Sequence, residues 1–362
     1  MATQGGHRLS LEDITQRFGD FVAVHDINLD VEGGELVALL GPSGCGKSTL
    51  LRIISGFIRQ TQGRVLFDRQ PVDDLSPSRR GVGIVFQNYA LFPHMTVAQN
   101  VAYGLQARRW PCDKIDARVA EMLALVHMSE FAERRPRQLS GGQQQRIALA
   151  RCLAIDPKVL LLDEPFGALD KNLRLDMQIE VKRLQRQSGI TTILVTHDQE
   201  EALSLADRIA VMSRGHIEQV ATPTDIYDRP KTLFVNQFVG TSNVLPGHMV
   251  VEASAARVAV PGGATLDVAP APQFADRNKV VVCIRPENLR FLPAGADDGL
   301  PGTVRTVLPL GAQIVYEVEI SQGVALRVSE PRGTQAALRA IGDRVRLVPT
   351  SAAACHVFPA SP

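Results

Sequence analysis

The amino-terminal stretch LSLEDITQRFGDFVAVHDINLDVEGGELVALLG alternates apolar and polar residues, and this two-residue period is typical of half-buried β-strands. Gly19-Asp20 and Gly33-Gly34 interrupt the alternation and predict turns. The stretch ends in the apolar run LVALL, which is followed by a glycine-rich loop and then by LLRII. We therefore expect short strands that lead into a strand, a loop and a helix.

Helical spacing replaces the alternation from Val97 to about Phe131, where Met122, Leu125 and Val126 stand among charged residues. This change predicts a helical insert over about residues 88–155. Two apolar segments follow, VLLL at 159–162 and TTILVT at 191–196, and both are typical of strands buried in a parallel sheet.

The segment between these two strands predicts an amphipathic helix, with an inward face formed by Leu173, Met177, Val181 and Leu184. A strand, a helix and a second strand imply a parallel sheet with right-handed crossovers. The fold class that follows is α/β with a parallel-sheet core, an antiparallel β region and a helical insert.

The pattern changes once more after about residue 235, where Pro and Gly punctuate short apolar segments such as VVVCIRPENLRF and QIVYEVEI. Closely spaced strands with such turns predict a small all-β domain, and a partly open, OB-like barrel is preferred. We expect domains at 1–235 and 236–362, with YDRPKTLFVNQFVGTSN as the linker.

Composition agrees with two domains, since 362 residues are long for one domain and comfortable for two. The net charge of +1 gives no support to a nucleic-acid partner. Five scattered cysteines suggest neither a disulfide framework nor a zinc site. The amino terminus lacks an apolar signal core, and no run approaches the roughly 20 apolar residues that a membrane span needs.

The loop GPSGCGKST carries the first chemistry, because Gly41, Gly46, Lys47 and Ser48 fill the pattern G-x-x-x-x-G-K-[ST] between a strand and a helix. Its glycines let backbone N–H groups face a polyphosphate, Lys47 reaches the outer phosphates, and the Ser48 hydroxyl can bind Mg²⁺. The Cys45 side chain is expected to point away from the nucleotide. The predicted site for ATP and Mg²⁺ comprises Gly41, Pro42, Ser43, Gly44, Cys45, Gly46, Lys47, Ser48 and Thr49.

Two carboxylates end the strand in VLLLDEP, at the edge where open α/β sheets bind ligands. Asp163 is expected to hold Mg²⁺ through water, and Glu164 to polarise the water that attacks the γ-phosphate. The alternative, an ordinary acidic strand end, is improbable beside a complete phosphate loop.

A second anion site is predicted at LSGGQ, where Ser140, Gly141, Gly142 and Gln143 open the helix-like segment QQQRIALARCLA. One triphosphate does not need two helix N-termini from distant parts of one domain, so this site would serve a neighbouring subunit. A simple loop and helix cap is the alternative.

The motifs GPSGCGKST, LSGGQ, VLLLDEP, GALD and VTHD, in this order, resemble the ATP-binding subunits of ABC transporters over residues 8 to about 235. The resemblance implies that Phe18 stacks on adenine and that Gln87 lies near Mg²⁺ and the attacking water. It also implies that Asp170 lies at the dimer seam and that His197 contacts the γ-phosphate. Phe18 can alternatively be a core residue of a β-hairpin.

The β-rich tail with Ile284, Arg285, Pro286 and Glu287 is similar to the accessory domain of bacterial solute-importer ATPases, and FVGTSN is typical of the polyamine-type subfamily. That group also includes ferric-iron, aminoethylphosphonate and sugar importers. The resemblance implies a head-to-tail homodimer, separate membrane permease subunits, a solute-binding protein acting indirectly, and a location on the cytoplasmic face of the inner membrane. The competing hypothesis is a soluble ABC ATPase that acts on nucleic acid or ribosomes.

The apolar segment after Gln87, with Tyr89, Leu91, Phe92 and Pro93, is a candidate docking site for the permease. A buried core loop is about as plausible from the sequence alone.

Overall fold

The computed structural model describes residues 6–167, 169–252, 255–261, 263–270, 273–293, 298–320, 323–333 and 338–360. The chain divides into two compact units, Met1–Arg229 and Pro230–Pro362.

The first unit contains two sheets and seven α-helices among its described residues. Its strands are β1 (Leu9–Phe18), β2 (Phe21–Val31), β3 (Leu36–Leu40), β4 (Gln62–Phe67), β5 (Gln70–Pro71), β6 (Val82–Val85), β7 (Val159–Asp163), β8 (Thr191–Thr196), β9 (Arg208–Ser213) and β10 (His216–Ala221). Its helices are α1 (Lys47–Ser55), α2 (Val97–Ala107), α3 (Cys112–Leu125), α4 (Gly141–Ala154), α5 (Lys171–Ser188), α6 (Gln199–Leu205) and α7 (Pro223–Asp228).

The central sheet has six strands in the order β10-β9-β3-β8-β7-β6. All neighbouring strands run parallel except the β9–β10 pair, which is antiparallel. Every side chain of the LVALL strand β3 is buried, because helices and a second sheet cover both faces. The second sheet is antiparallel, in the order β2-β1-β4-β5, and shares the same hydrophobic core.

The predicted helices form where the apolar period indicates them. Helix α5 buries Met177, Val181 and Leu184, while Leu173 at its start is half-buried. Helices α2, α3 and α4 pack against one another as a helical group. The α/β fold class, with its antiparallel β region and helical insert, is confirmed. No helix in the described part of the chain is both long and apolar enough to cross a membrane.

The stretch predicted as a linker folds instead into local structure. It contains helix α8 (Leu233–Phe238), and Val235, Asn236 and Val239 are fully buried. The Arg285 guanidinium donates to the Asn236 carbonyl at 3.0 Å, which fastens α8 to the second unit. The boundary expected after residue 235 therefore falls inside a helix that belongs with the residues after it.

The second unit is all-β apart from α8 and short 3₁₀ turns among its described residues. Its strands are β11 (Asn243–Glu252), β12 (Ala255–Ala259), β13 (Thr265–Val268), β14 (Lys279–Ile284), β15 (Leu289–Phe291), β16 (Leu300–Pro309), β17 (Gln313–Ile320), β18 (Ala325–Pro331), β19 (Arg344–Pro349) and β20 (Cys355–Pro359). They form two five-stranded antiparallel sheets, β13-β12-β11-β14-β20 and β15-β19-β16-β17-β18, around one apolar core. The small all-β domain is confirmed.

Candidate functional site

Four parallel strands bring their carboxyl ends to one edge of the central sheet. Leu40 pairs with Thr196, Val195 pairs with Asp163, and Leu162 pairs with Val85. Neighbouring strand ends therefore carry four features of the predicted site. These are the loop after β3, the acidic pair at the end of β7, the histidine after β8 and the glutamine after β6. This is the edge at which open α/β sheets bind ligands.

The loop from Gly41 to Gly46 needs glycine at its last position. Gly46 has φ 107°, and a Cβ there would lie 2.5 Å from Val24 Cγ1 and 2.7 Å from Ala23 O. Only glycine adopts this conformation readily and fits against the β2 backbone. Helix α1 begins at the next residue, so its free N–H groups point into the loop, where a phosphate would be held.

Lys47 is almost completely buried, and carbonyl groups of the loop hold its ammonium group. Nζ donates to Gly41 O at 2.7 Å and to Pro42 O at 3.0 Å. Cys45 is buried in the apolar core, so its side chain is directed away from the exposed face of the loop. Ser48 is exposed and Thr49 is half-buried at the start of α1, which leaves the Ser48 hydroxyl accessible to a ligand.

Asp163 ends β7 in a partly desolvated position. Burial raises the pKa of its carboxyl group, the neighbouring Glu164 raises it further, and Arg52 and Lys47 oppose both effects. A buried carboxylate beside a second carboxylate is favourable when a cation shares the site. The carboxylate of Asp163, the Ser48 hydroxyl and the Gln87 amide are all hard oxygen donors, the type that Mg²⁺ prefers.

Glu164 and His197 form a pair across the ends of β7 and β8. His197 Nδ1 lies 3.0 Å from Glu164 Oε1, and the imidazole is more than half exposed. Glu164 has φ 45°, a left-handed conformation that is unfavourable for a glutamate, and its N–H donates to Val195 O at 2.9 Å. Such strain persists only where the surrounding structure enforces it, and it is concentrated at functional sites.

A hydrogen-bond network fixes the loop that carries His197. The Thr196 hydroxyl donates to Glu201 Oε2 at 2.6 Å and accepts from the Asp198 N–H at 2.9 Å. Asp198 caps α6 and pairs with Arg174 Nη1 at 2.8 Å. Burial raises the pKa of Glu201, and the hydrogen bond from Thr196 acts in the opposite direction.

The LSGGQ segment forms the N-terminus of α4 through a capping box. The Ser140 hydroxyl accepts from the Gln143 N–H at 3.3 Å, and Gln143 Oε1 accepts from the Ser140 N–H at 2.9 Å. Ser140 is exposed, whereas Gly141 and Gln143 are half-buried and Gly142 is buried, so the cap residue faces solvent while the first turn of the helix is partly covered. A Cβ on Gly141 or Gly142 would approach Leu169 or Leu173 to 3.2 Å, which places this helix start against the segment that carries Asp170.

Asp170 has a defined local role within its own chain. It is the N-cap of α5, and its carboxylate accepts from the Leu173 N–H at 3.0 Å. Ala168 of the GALD motif lies outside the described residues.

Gln87 is exposed two residues after β6, and its amide Nε2 lies 3.5 Å from the position that a Cβ on Gly167 would take. The segment after it is anchored at Phe92, whose N–H donates to Asn100 Oδ1 at 2.8 Å. Phe92 and Leu91 are half-buried and Pro93 is exposed. The segment is thus neither fully core nor free loop.

Phe18 lies at the tip of the β1–β2 hairpin, paired with Phe21. The two side chains are 48% and 64% exposed, which rules out a core role for Phe18. Exposed aromatic faces at a hairpin tip are available for stacking on a base. Phe21 was missed by sequence reasoning, although it lies in the same turn signal.

Sequence reasoning also missed the residues that hold the site in place. Arg174 and Arg151 both donate to loops of this edge, yet each looks like an ordinary surface arginine on an amphipathic helix. Their partners are backbone carbonyls or residues far away in the chain, so no local pattern reveals them.

Two family models match the chain. Residues 24–167 match the model described as ABC transporter, and residues 282–358 match the model described as TOBE domain. The first match covers the phosphate loop, the LSGGQ segment and the acidic pair, and the second covers most of the β strands of the second unit.

Curated relatives and solved structures agree with these matches. The chain is 45% identical to the spermidine/putrescine import ATP-binding protein PotA of Pseudomonas fluorescens over 341 residues, covering 93% of this chain and 94% of that protein. It is 47% identical to the PotA protein of Rubrobacter xylanophilus over 338 residues, covering 92% and 89%.

Among solved structures, cbiO1 from Clostridium perfringens, part of an ABC transporter complex, has a TM-score of 0.58 at 32% identity, covering 61% of this chain and 90% of that one. A dimeric ATP-binding cassette bound to ADP and Pi in a post-hydrolysis state has a TM-score of 0.53 at 34% identity, covering 59% and 98%. The chain therefore belongs to the family of ABC importer ATPases, the ATP-binding subunits that carry a C-terminal accessory β domain.

Proposed function

We propose that this chain binds and hydrolyses ATP with Mg²⁺ in order to drive uptake of a polyamine, spermidine or putrescine, through separate membrane permease subunits. The observation that carries the solute assignment is the identity of 45–47% with import proteins of that name over about nine tenths of both chains. The net charge of +1 and the family of these relatives give no support to the competing hypothesis of an ATPase that acts on nucleic acid.

The side chains that meet at the sheet edge support a division of roles. Lys47 and the N-terminus of α1 bind the outer phosphates, while Ser48, Gln87 and Asp163 hold Mg²⁺, which neutralises phosphate charge when bound. Glu164 orients and polarises the attacking water as an acceptor. His197 donates to the γ-phosphate from a position next to Glu164. The hydrogen bonds among Thr196, Asp198 and Glu201 fix the loop that carries His197.

We propose further that two copies close head to tail, with the exposed start of α4 on one chain covering the phosphate loop of the other. Ser140 is exposed at the start of α4, and within its own chain its hydroxyl caps that helix. Closure of the two chains exposes or moves the segment after Gln87, which docks on the permease at the cytoplasmic face of the inner membrane.

The dimer is tested in a Glu164→Gln background, in which slow hydrolysis prolongs the ATP-bound state. Light scattering after size-exclusion chromatography should show a shift from monomer to dimer when MgATP is added. Ser140→Arg in the same background should abolish the shift, whereas Ser76→Arg, on an exposed loop, should not. A persistent dimer in the Ser140→Arg protein would contradict the head-to-tail arrangement.

The solute and partners are tested by uptake in cells that lack the gene for this chain. Uptake of labelled spermidine or putrescine should disappear and should return with the parent chain, but not with Lys47→Ala. Replacing Leu91 and Phe92 with Ala should weaken pull-down of the permease while ATP binding persists. The matched control replaces two exposed apolar residues of α5, Leu175 and Ile179, and should leave the pull-down intact. Unchanged polyamine uptake without the chain would overturn the solute assignment.

A further inference from the structure

A strained two-residue turn follows Gln87. Tyr89 has φ 59° and Ala90 has φ 45°, so two consecutive non-glycine residues adopt the left-handed conformation. This conformation brings Cβ close to the following carbonyl oxygen and is unfavourable for each residue. It persists only when other contacts hold it, and it is a feature typical of functional segments.

Two backbone hydrogen bonds and three side-chain contacts hold this turn, and one of the side-chain contacts is a guanidinium fork. The Tyr89 N–H donates to Phe86 O at 2.8 Å, and the Ala90 N–H donates to Asn88 O at 2.7 Å. The Tyr89 ring is buried, and Asn100 binds both the N–H and the carbonyl of Phe92, at 2.8 and 3.2 Å. The carbonyls of the strained residues themselves are bound by Arg151, with Nη1 donating to Ala90 O at 2.7 Å and Nη2 to Tyr89 O at 2.9 Å. The same guanidinium lies 5.6 Å from the centre of the Phe92 ring.

Arg151 belongs to α4, the helix whose N-terminus is the LSGGQ segment. Ten residues separate Gly141 from Arg151, which corresponds to about 15 Å of rigid helix. The helix start and the strained turn are thus joined through one helix and one bidentate contact. A planar fork fixes the direction of both carbonyls, which a single ammonium group does not do.

We propose that Arg151 is a positioning residue that holds the strained turn at Tyr89 and Ala90, and thereby transmits the position of the LSGGQ helix to Gln87 and the docking segment. The transmission rests on the proposed head-to-tail dimer, whereas the positioning within one chain does not. When a nucleotide binds the N-terminus of α4 and the helix moves, the turn moves with it. This follows because Arg151 of α4 binds the carbonyls of both Tyr89 and Ala90.

Amide hydrogen exchange in the nucleotide-free full chain tests the positioning. In Arg151→Met, exchange of peptides spanning residues 86–93 should accelerate about 10-fold or more, because the carbonyls of Tyr89 and Ala90 lose their donor. Arg151→Lys, which keeps the charge but not the fork, should show a smaller acceleration. The kcat for ATP hydrolysis should fall about 10-fold through misplacement of Gln87, while the Kd for MgATP changes less than about 3-fold.

Arg118→Met is the matched control. Arg118 on α3 also donates to the end of α4, at Leu153 O and Ala154 O, and its ion pair is with Glu121 of its own helix. It should leave exchange in 86–93 and kcat near the parental values even if the melting temperature falls. Equal acceleration in Arg118→Met and Arg151→Met, or none in Arg151→Met, would overturn the proposal.

The transmission is tested in Glu164→Gln chains with MgATP. The dimer should protect residues 86–93, and adding Arg151→Met should remove this protection although light scattering still shows a dimer. Retained protection in the dimeric double variant would refute transmission through Arg151. If Glu164→Gln does not dimerise, the proposed dimer and the transmission fail together, while the nucleotide-free exchange still decides the positioning role.

Discussion

The two units of the chain differ in where their backbone is strained. Of the twelve non-glycine residues with positive φ in the described ranges, eleven lie in the first unit and one, Arg277, lies in the second. Four of the eleven are Asp, a residue type that tolerates this conformation, and two of these, Asp13 and Asp26, lie within strands β1 and β2. Seven of the eleven are not Asp. Glu164, Tyr89 and Ala90 are three of these and lie in segments that leave the carboxyl edge of the central sheet, whereas Arg69, Arg109 and His127 lie elsewhere in the unit.

The second unit contains a buried arginine, as the first unit does at Arg80, which is 2% exposed and donates to Ile53 O and Ile54 O. Arg285 is 1% exposed and Asn236 is fully buried, and the carbonyls of Asn236 and Thr241 accept from the arginine. These contacts tie α8 to the residue that follows strand β14. In the first unit, strained backbone occurs at the candidate nucleotide site, at Glu164, Tyr89 and Ala90, whereas the buried contacts of Arg285 in the second unit stabilise that unit's own fold.

The largest expected effect is at the strained carboxylate. Glu164→Gln keeps the side-chain shape and removes the charge, so kcat for ATP hydrolysis should fall by about 10² to 10³, or about 3 to 4 kcal/mol of barrier. Nucleotide affinity should change little, because Lys47 and Ser48 are retained. A phosphate-release assay and nucleotide titration measure the two quantities.

Glu12→Gln is the control, since Glu12 pairs with Arg64 on the surface of the antiparallel sheet. It should hydrolyse ATP at the parental rate. A Glu164→Gln protein with parental kcat would show that the carboxylate of this strained residue is not needed for hydrolysis.

A second effect should stay inside the accessory unit. Arg285→Met leaves two buried carbonyls without their charged donor and should destabilise this unit by about 2 kcal/mol. The single tryptophan, Trp110, lies in the first unit, so its fluorescence follows that unit alone during urea unfolding. The Trp110 transition should not move, whereas the circular-dichroism transition should.

Arg344→Met, at an exposed position of the same unit, should move neither transition. If Arg285→Met shifted the Trp110 transition as far as the circular-dichroism transition, the two units would not be independent in stability.

A smaller effect tests the strain itself. Ala90→Gly should stabilise the protein by about 1 kcal/mol, because glycine adopts the left-handed conformation without the steric penalty of Cβ. Ala102→Gly, in the interior of α2, should have the opposite sign and a similar size. Thermal unfolding of both variants measures this reversal, and destabilisation by Ala90→Gly would argue against strain in the turn.

The smallest effect concerns the partly buried carboxylate of the site. The pKa of Asp163 is raised in the folded chain, so the native state binds this proton more tightly than the unfolded state does. Stability is therefore lost as the pH rises through the folded pKa, and Asp163→Asn should raise the melting temperature of the Mg²⁺-free protein at neutral pH.

This gain should shrink as the pH is lowered toward the usual range of an aspartate. Asp74→Asn, at a highly exposed ion pair, should give no comparable gain at any pH. A melting temperature that falls in Asp163→Asn at neutral pH would contradict the sign of the pKa shift.

The sequence by itself determined the fold class and the chemical groups of the site. Apolar runs such as LVALL and TTILVT indicate buried parallel strands because no polar residue interrupts them, and β3 and β8 form at those residues. Lys47 opens a helix, Asp163 ends a strand and His197 directly follows one, so their approach to one edge follows from parallel connectivity.

Tertiary structure alone decided how those groups are held. The 3.0 Å pair of Glu164 with His197, the left-handed turn at Tyr89 and Ala90, and the fork of Arg151 depend on the register between strands and on packing between helices distant in sequence. The helix in the predicted linker is a similar case, since Arg285 reaches Asn236 from 49 residues away. The local sequence pattern does not indicate such contacts, because their free energy comes from partners that only folding brings together.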